Sequence, residues 1–188
     1  MRFRSFTAGV GYAVIAALLL HAADARSQDA SAEVRVKAAI VHKIAKFVTW
    51  PESRFTAEGA RLRFCVLGDS EVLEAFRTLQ DRPVHGRMLS VDLAPEPGEV
   101  AESCDVLYFA NDERHTAGEW LEAVAGHPVL TFADAGGYAG EGSIVAMAIR
   151  RNKVRFSINL DANENSQLRI SGQLLQLAAS VGTPGHSP

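Results

Sequence analysis

The spacing of hydrophobic and polar residues predicts regular elements along most of the chain. Apolar side chains recur at intervals of three and four over residues 33–50, as in an amphipathic helix, and Pro51 ends this segment. Residues 62–67 have the composition of a strand. The turn Gly68-Asp69-Ser70 then begins a helix capped by Asp69 or Ser70, and a strand is predicted over residues 88–93.

The second half of the chain continues this alternation of strands and helices. Residues 95–98 are predicted to be a linker. Two apolar runs, residues 105–110 and 128–132, predict strands on either side of a helix over residues 116–125. A hairpin over residues 143–149 and 153–160 follows, since Arg150-Arg151-Asn152 supplies a turn, and a helix from about residue 168 to 179 ends the pattern.

Alternating strands and helices are typical of a parallel sheet with helices on both faces. The late antiparallel hairpin adds strands of opposite direction at one edge. We therefore predict an α/β fold, a single-domain sandwich with a mixed, partly parallel sheet. The domain should cover residues 26–180, which is long enough for a sizeable core, and residues 181–188 should form a flexible tail.

Residues 1–25 have the layout of a secretory signal peptide. Arg2 and Arg4 precede an apolar stretch over residues 9–20, and Ala23-Asp24-Ala25 places small residues at a cleavage site. The stretch is shorter than the ~20 residues that cross a bilayer as a helix. We expect an exported mature protein that begins near Arg26, and an uncleaved N-terminal anchor is the alternative.

Charge and cysteine content narrow the class of protein further. The formal net charge is −3 at pH 7, and the densest basic run, residues 150–155, carries only four charges, which argues against nucleic-acid binding. Cys65 and Cys104 form an even pair, which favours a disulfide in an exported protein. Such a bridge closes a loop of about 40 residues, worth roughly 4 kcal/mol in the chain-entropy model. Two buried free thiols are the alternative.

The residues that could carry chemistry lie at the carboxyl ends of predicted strands. Gly68 and Asp69 occupy a strand–helix turn of the kind that binds ligands in open α/β sheets, although Asp69 would repel an anion and suits a helix cap better. Asp134, with Asp69 and Asp112, could bind a cation or transfer a proton, or all three could be loop and cap residues. A small-ligand site near Gly68, Asp69 and Asp134 is thus the alternative to a protein-binding function.

Motifs of catalysis and metal binding are absent from the sequence. The histidines after the signal segment form no HxH, HxxH or HxxxH pair, and there is no GxSxG motif. We therefore expect no catalytic residues, no metal and no cofactor.

Two segments have the composition of a protein contact surface. Trp50 follows Phe47 at the end of the first helix, and tryptophan is frequent at binding hot spots, although packing in the core is the commoner role of such a pair. The strand around Arg155 and the apolar helix after it could be shared with a partner or buried. The candidate partner-binding residues are Trp50, Arg155, Asn159, Leu168 and Ile170.

Taken together, these segments resemble the YfiR family of periplasmic proteins. The matching pieces run in the same order over nearly the whole mature chain. They are Lys37-Ala38-Ala39, the segment from Ala45 to Pro51, Phe64-Cys65-Val66-Leu67-Gly68, Gly86-Arg87, Cys104-Asp105-Val106-Leu107-Tyr108, Pro128-Val129-Leu130-Thr131, the segment from Val154 to Leu160 and the segment from Leu168 to Ala178.

The resemblance implies a function in signalling. It implies that the chain is a periplasmic repressor. Such a protein would bind the periplasmic part of an inner-membrane diguanylate cyclase. It would thereby lower the level of cyclic-di-GMP and reduce biofilm formation. An OmpA-like outer-membrane lipoprotein can sequester the repressor. The resemblance also implies an α/β sandwich, often a homodimer, in which disulfide bonding affects stability and activity.

Overall fold

The computed structural model describes residues 32–110, 117–134, 142–151 and 153–182. The predicted signal peptide and Asp112 lie outside these ranges, so the fold concerns the predicted domain from residue 32 onward. The helices are α1 (32–45), α2 (Ser70–Arg77), α3 (Pro97–Ser103), α4 (Ala117–Val124), α5 (Leu160–Glu164) and α6 (Gly172–Leu177). The strands are β1 (Val48–Thr49), β2 (Leu62–Leu67), β3 (Pro83–Val84), β4 (Arg87–Leu93), β5 (Val106–Phe109), β6 (Leu130–Asp134), β7 (Val145–Arg150), β8 (Lys153–Ile158), β9 (Arg169–Ile170) and β10 (Ser180–Val181).

The described strands form one mixed sheet of eight and a separate pair. The order across the large sheet is β10-β8-β7-β6-β5-β2-β4-β3, and β1 pairs with β9. Strands β4, β2, β5, β6 and β7 run parallel to one another, while β7 and β8 form the antiparallel hairpin. The predicted α/β sandwich with a mixed sheet and a late hairpin is confirmed.

Strand β5 shows how the sheet divides the core into two layers. All four of its side chains are buried, as expected for a central parallel strand. Val106 and Tyr108 point to a first face, which α1 and α2 cover, and Leu107 and Phe109 point to a second face, which α3 and α4 cover. The period of two along the other strands assigns their residues to the same two faces.

Three predicted segments differ from the structure. The first helix ends at residue 45 instead of 50, because Val48 and Thr49 leave it to pair with Ile170 and Arg169. The predicted final helix is reduced to Gly172–Leu177, since β9 takes its start and β10 follows its end. The predicted linker over residues 95–98 runs into α3, whose Pro97 occupies a first-turn position that tolerates proline.

Candidate functional site

A disulfide joins Cys65 on β2 to Cys104, the residue that ends α3. The two Cα atoms are 5.8 Å apart, within the usual range for a disulfide, and both residues are buried on the second face. The bridge therefore ties the central strand β2 to the helix that covers it.

Directly beside the disulfide, Asp105 is the centre of a buried ionic cluster. Its carboxylate accepts hydrogen bonds from Arg54 Nε at 2.7 Å, from Arg63 Nη2 at 3.0 Å and from the Arg63 backbone N–H at 2.8 Å. The Arg54 guanidinium also donates to the carbonyl oxygens of Ala101 and Cys104. Asp105 is fully buried, and these donors replace the water that its charge loses.

Trp50 packs against this same end of the sheet. Its side chain is only 6% exposed, and its indole N–H donates to the Asp105 carbonyl oxygen at 3.1 Å. A buried tryptophan usually finds such a partner for its N–H. The contacts of Trp50 are therefore those of a core residue, and a partner would reach it only after this packing opened.

A second ionic cluster lies at the carboxyl end of the parallel strands. Asp134, the last residue of β6, accepts a hydrogen bond from Lys37 Nζ at 2.9 Å and one from the Tyr108 hydroxyl at 3.2 Å. Lys37 also contacts Glu33, one turn earlier on α1, at 2.6 Å. All four residues lie on the first face or at its rim, so this cluster attaches α1 to the middle of the sheet.

Burial governs the protonation of this second cluster. Burial raises the pKa of Asp134, and the hydrogen bonds from Lys37 and Tyr108 offset only part of that rise. Burial and the neighbouring Asp134 charge also raise the pKa of the Tyr108 hydroxyl, which stays protonated. Burial lowers the pKa of Lys37, but its hydrogen bonds to Glu33 and Asp134 outweigh that and raise it overall. Lys37 is thus held as a cation against a carboxylate that is costly to bury.

The two other residues of the predicted ligand site have structural contacts of their own. Asp69 caps α2, accepting hydrogen bonds from the backbone N–H groups of Glu71 and Val72, both at 2.9 Å. A Cβ at Gly68 would stand 2.9 Å from the Cβ of Ala110, so close packing of the turn explains the glycine. Strand β5 separates these residues from Asp134. The predicted ligand site therefore receives no geometric support from Gly68, Asp69 or Asp134.

A polar cleft of about 460 Å³ borders the Asp105 cluster. Its lining includes Arg54 and Arg63, whose guanidinium groups bind Asp105, and Arg61, whose guanidinium contacts Asp81. A smaller cleft of about 180 Å³ lies between α4, β6 and α5. Neither cleft is lined by Gly68, Asp69 or Asp134.

The other predicted contact residues are spread over two surfaces. Leu168 is buried and Ile170 half-buried, and both pack in the first-face core that also contains Trp50. Arg155 is exposed on β8 and points to the second face, since its neighbours Val154 and Phe156 pack on the first. The half-buried Asn159 caps α5 through a hydrogen bond from the Ala162 N–H at 3.1 Å. No observation tests partner binding by these residues, and it stays a prediction.

Sequence reasoning missed the residues that complete the two ionic clusters. Arg54 and Arg63 lie 51 and 42 residues from Asp105, so no local pattern connects them. Asp105 itself carried a signal, because a carboxylate that enters an apolar run directly after a cysteine must find partners when it is buried. The spacing of apolar residues in the first helix does not mark Lys37 as buried, whereas the structure buries it.

Comparison with known proteins assigns the family. A model of the YfiR/HmsC-like family matches residues 34–179, which is most of the chain. The chain belongs to the YfiR/HmsC-like family. The match spans the disulfide, every predicted contact residue and all of both ionic clusters except Glu33, so the family assignment rests on nearly the whole described domain.

A solved structure shares the fold of this YfiR/HmsC-like chain. It is a conserved domain protein from Vibrio cholerae O1 biovar El Tor strain N16961, with a TM-score of 0.50 and 15% sequence identity. The match covers 79% of the present chain and 60% of the Vibrio chain. At this identity the likeness concerns the fold alone. Within the described residues, no helix has the length and apolar character that a membrane span requires.

Proposed function

We propose that this chain is a periplasmic negative regulator that binds the periplasmic part of an inner-membrane diguanylate cyclase and lowers cyclic-di-GMP synthesis. The observation that carries the proposal is the YfiR/HmsC-like family match over residues 34–179. The signal-peptide layout of residues 1–25 supports export to the compartment where such a partner would be met.

The contacts of three aspartates favour a binding function over catalysis. Asp105 binds two guanidinium groups, Asp134 binds Lys37 and Tyr108, and Asp69 caps a helix. Each carboxylate therefore has a role in holding the fold together. This is consistent with a protein that acts through its surface.

Two separate surfaces, one at Arg155 on β8 and one at Ile170 on β9, are the parts of the predicted interface that a partner can reach. Arg155 is exposed, and Ile170 is half-buried on β9 beside the exposed Arg169. Trp50 and Leu168 are buried in the first-face core. Substitution of the two buried residues would test stability, whereas Arg155 and Ile170 can report on partner binding.

The test measures intracellular cyclic-di-GMP in the source bacterium. Deletion of the gene should raise the nucleotide level, and the restored chain should lower it again. Restoration with Arg155→Ala or Ile170→Ala should leave the level high at equal periplasmic abundance. Arg35→Ala, an exposed arginine on α1, is the matched control and should repress normally.

Two outcomes would contradict this proposal at different levels. If deletion leaves cyclic-di-GMP unchanged while the protein is expressed, the regulatory function is wrong. If deletion raises the level but both variants repress fully, the function stands and the interface lies elsewhere.

Two further partners follow from the same proposal. An OmpA-like outer-membrane lipoprotein would sequester the regulator, so its overproduction should raise cyclic-di-GMP only when the chain is present. A homodimer should elute at twice the mass of the mature chain in size-exclusion chromatography with light scattering. A measured mass of one chain would contradict the homodimer. A rise of cyclic-di-GMP on lipoprotein overproduction in cells that lack the chain would contradict the lipoprotein as a partner.

A further inference from the structure

The tip of the β7–β8 hairpin carries a cluster of exposed cations. Among the described residues, β6 pairs with β7 as far as Met147, opposite Asp134. Residues 148–150 pair with residues 153–155 of β8. We call residues 148–151 and 153–155 the basic ribbon.

Charge is distributed unevenly over the basic ribbon. Arg150 lies opposite Lys153, and Arg155 lies opposite Ala148, so that three cations share the second face of the sheet. Arg151 adds a fourth cation in the turn, at a φ of 51°. All four side chains are exposed. The ribbon thus presents a continuous positive surface.

These cations have no acidic partner in the described part of the chain. Among residues 32–110, 117–134, 142–151 and 153–182, the ion pairs join other residues. Like charges placed directly opposite each other, as Arg150 and Lys153 are, destabilise a strand pair. Stability of the fold therefore does not explain the arrangement.

The opposite face of the ribbon is apolar at its tip. Ile149 is 42% exposed, and Val154, directly opposite it, is half-buried. A hairpin tip that combines several exposed cations with an exposed aliphatic side chain is suited to the boundary between lipid headgroups and acyl chains.

Whole-chain charge would orient the ribbon toward such a surface. The chain has a formal net charge of −3, so the part outside these four cations carries −7. An anionic surface would attract the ribbon and repel the remainder. Because its four cations are all exposed, the ribbon can lie against a flat surface that offers no complementary cavity.

We propose that the basic ribbon docks this protein onto an anionic phospholipid surface, with Arg150, Arg151, Lys153 and Arg155 against the headgroups and Ile149 at the acyl boundary. This inference differs from cyclase binding because the counterpart is lipid. Arg155 belongs to both predicted surfaces, so the ribbon variant described below leaves Arg155 unchanged. Docking would concentrate an exported protein at a membrane. Its diffusion toward a membrane-bound partner would then be confined to two dimensions.

The experiment uses sedimentation of the mature chain with vesicles. One set contains phosphatidylethanolamine and phosphatidylglycerol, and the other contains phosphatidylcholine only. Each cation near an anionic surface strengthens binding about fivefold. The triple variant Arg150→Gln, Arg151→Gln and Lys153→Gln should therefore lose roughly a hundredfold in partitioning to the anionic vesicles.

A matched control removes the same number of exposed cations from α1 and the turn directly after it. The variant Arg35→Gln, Lys43→Gln and Lys46→Gln should bind the anionic vesicles within about twofold of the unaltered chain. Raising the ionic strength to about 0.15 M should weaken the binding of the unaltered chain and of this control variant to the anionic vesicles, because salt screens the charges. Circular dichroism spectra should show that both variants are folded.

Three outcomes would overturn the proposal. The unaltered chain could fail to bind anionic vesicles in preference to phosphatidylcholine, the ribbon variant could bind as well as the unaltered chain, or the control could lose as much. If the unaltered chain ignores the vesicles while the ribbon variant fails to repress cyclic-di-GMP in cells, the counterpart of the ribbon is an acidic protein surface instead. If vesicle binding behaves as expected and deletion leaves cyclic-di-GMP unchanged, only the proposed regulatory function fails.

Discussion

Asp105 and Asp134 are two buried aspartates at opposite ends of neighbouring parallel strands, and they are neutralised in different ways. Asp105 precedes β5 and binds two guanidinium groups, next to a disulfide. Asp134 ends β6 and binds one ammonium group and one hydroxyl. The amino end of the sheet is thus held by several crosslinks, whereas the carboxyl end depends mainly on Lys37.

This difference indicates which end of the sheet should respond to a change of pH. Arginine forks bind a carboxylate at more than one point and stay charged throughout the physiological range. A lysine gives one point charge, and the carboxylate it neutralises already has a raised pKa because of burial. We therefore expect the amino end to be rigid and the contact between α1 and the sheet to depend on pH.

The largest effect is expected when Asp105 is removed. Asp105→Ala leaves the guanidinium of Arg54, which is 9% exposed, without its carboxylate, and loss of one partner of a buried ion pair costs about 5 kcal/mol at the upper end. Urea denaturation of the oxidised protein should show a fall of that size. Asp92→Ala, an exposed aspartate on β4, is the control and should change stability by less than about 0.5 kcal/mol. Similar losses in both variants would contradict the special role of Asp105.

Removal of the disulfide should cost slightly less. The double variant Cys65→Ala and Cys104→Ala opens a loop with a sequence separation of 39, for which the chain-entropy model gives about 4 kcal/mol. Because Cys104 adjoins Asp105, the loss should not add fully to that of Asp105→Ala. Denaturation of all four proteins in this cycle measures the coupling. Strict additivity would mean that the bridge and the ionic cluster act independently.

At the other end of the sheet, Lys37→Met should lower the unfolding free energy by about 3 kcal/mol at neutral pH. The pKa of Asp134 would rise further without its cation. In the pH window between the ordinary aspartate pKa of 3.8 and this raised pKa, Asp134 would be protonated in the folded protein and ionised in the unfolded chain. Stability of the variant is therefore gained as pH falls through this window, and the deficit should shrink toward about pH 4.

The double variant Lys37→Met and Asp134→Asn is the control for this pH dependence. It lacks the carboxylate of residue 134. Its loss of unfolding free energy relative to the unaltered chain should therefore not shrink as the pH falls. Chemical denaturation at neutral and acidic pH compares the three proteins. An equal deficit of Lys37→Met at both pH values would show that Asp134 does not govern this contact.

Much of the fold could be predicted because its longer elements carry their own signals. Residues 62–67 match β2 at both ends, since the apolar run stops at Gly68 and Asp69 begins the next helix. The two-residue strands β1, β9 and β10 could not be predicted in this way. Their existence depends on partners far along the chain, such as Val48 with Ile170, and a pair of residues has no period to detect.

The candidate site was predictable only in part. Asp134 could be singled out from its place after an apolar strand, and the structure extends that strand to include it. The period of two then places Asp134 on the same face as Tyr108. The burial of Lys37 depends on how α1 lies across that face, which its own helical pattern does not contain.

Arg150 is the third case in this comparison, an exposed charge with no ion-pair partner among the described residues, and its substitution has the smallest expected effect. Arg150→Glu replaces a like-charged pair with an attractive one opposite Lys153, so the unfolding free energy should rise by about 0.5 kcal/mol. Arg151→Glu is the matched control, because the strand pairing of the described residues ends at Arg150 and Lys153, and it should give no gain. Thermal and urea denaturation compare the two variants. A gain in Arg150→Glu together with weaker binding to anionic vesicles would show that this repulsion is kept for binding, since a purely structural role would have selected the more stable pair. A loss of stability would mean that the opposed cations are not in repulsion, and the charge pattern of the ribbon would need another explanation.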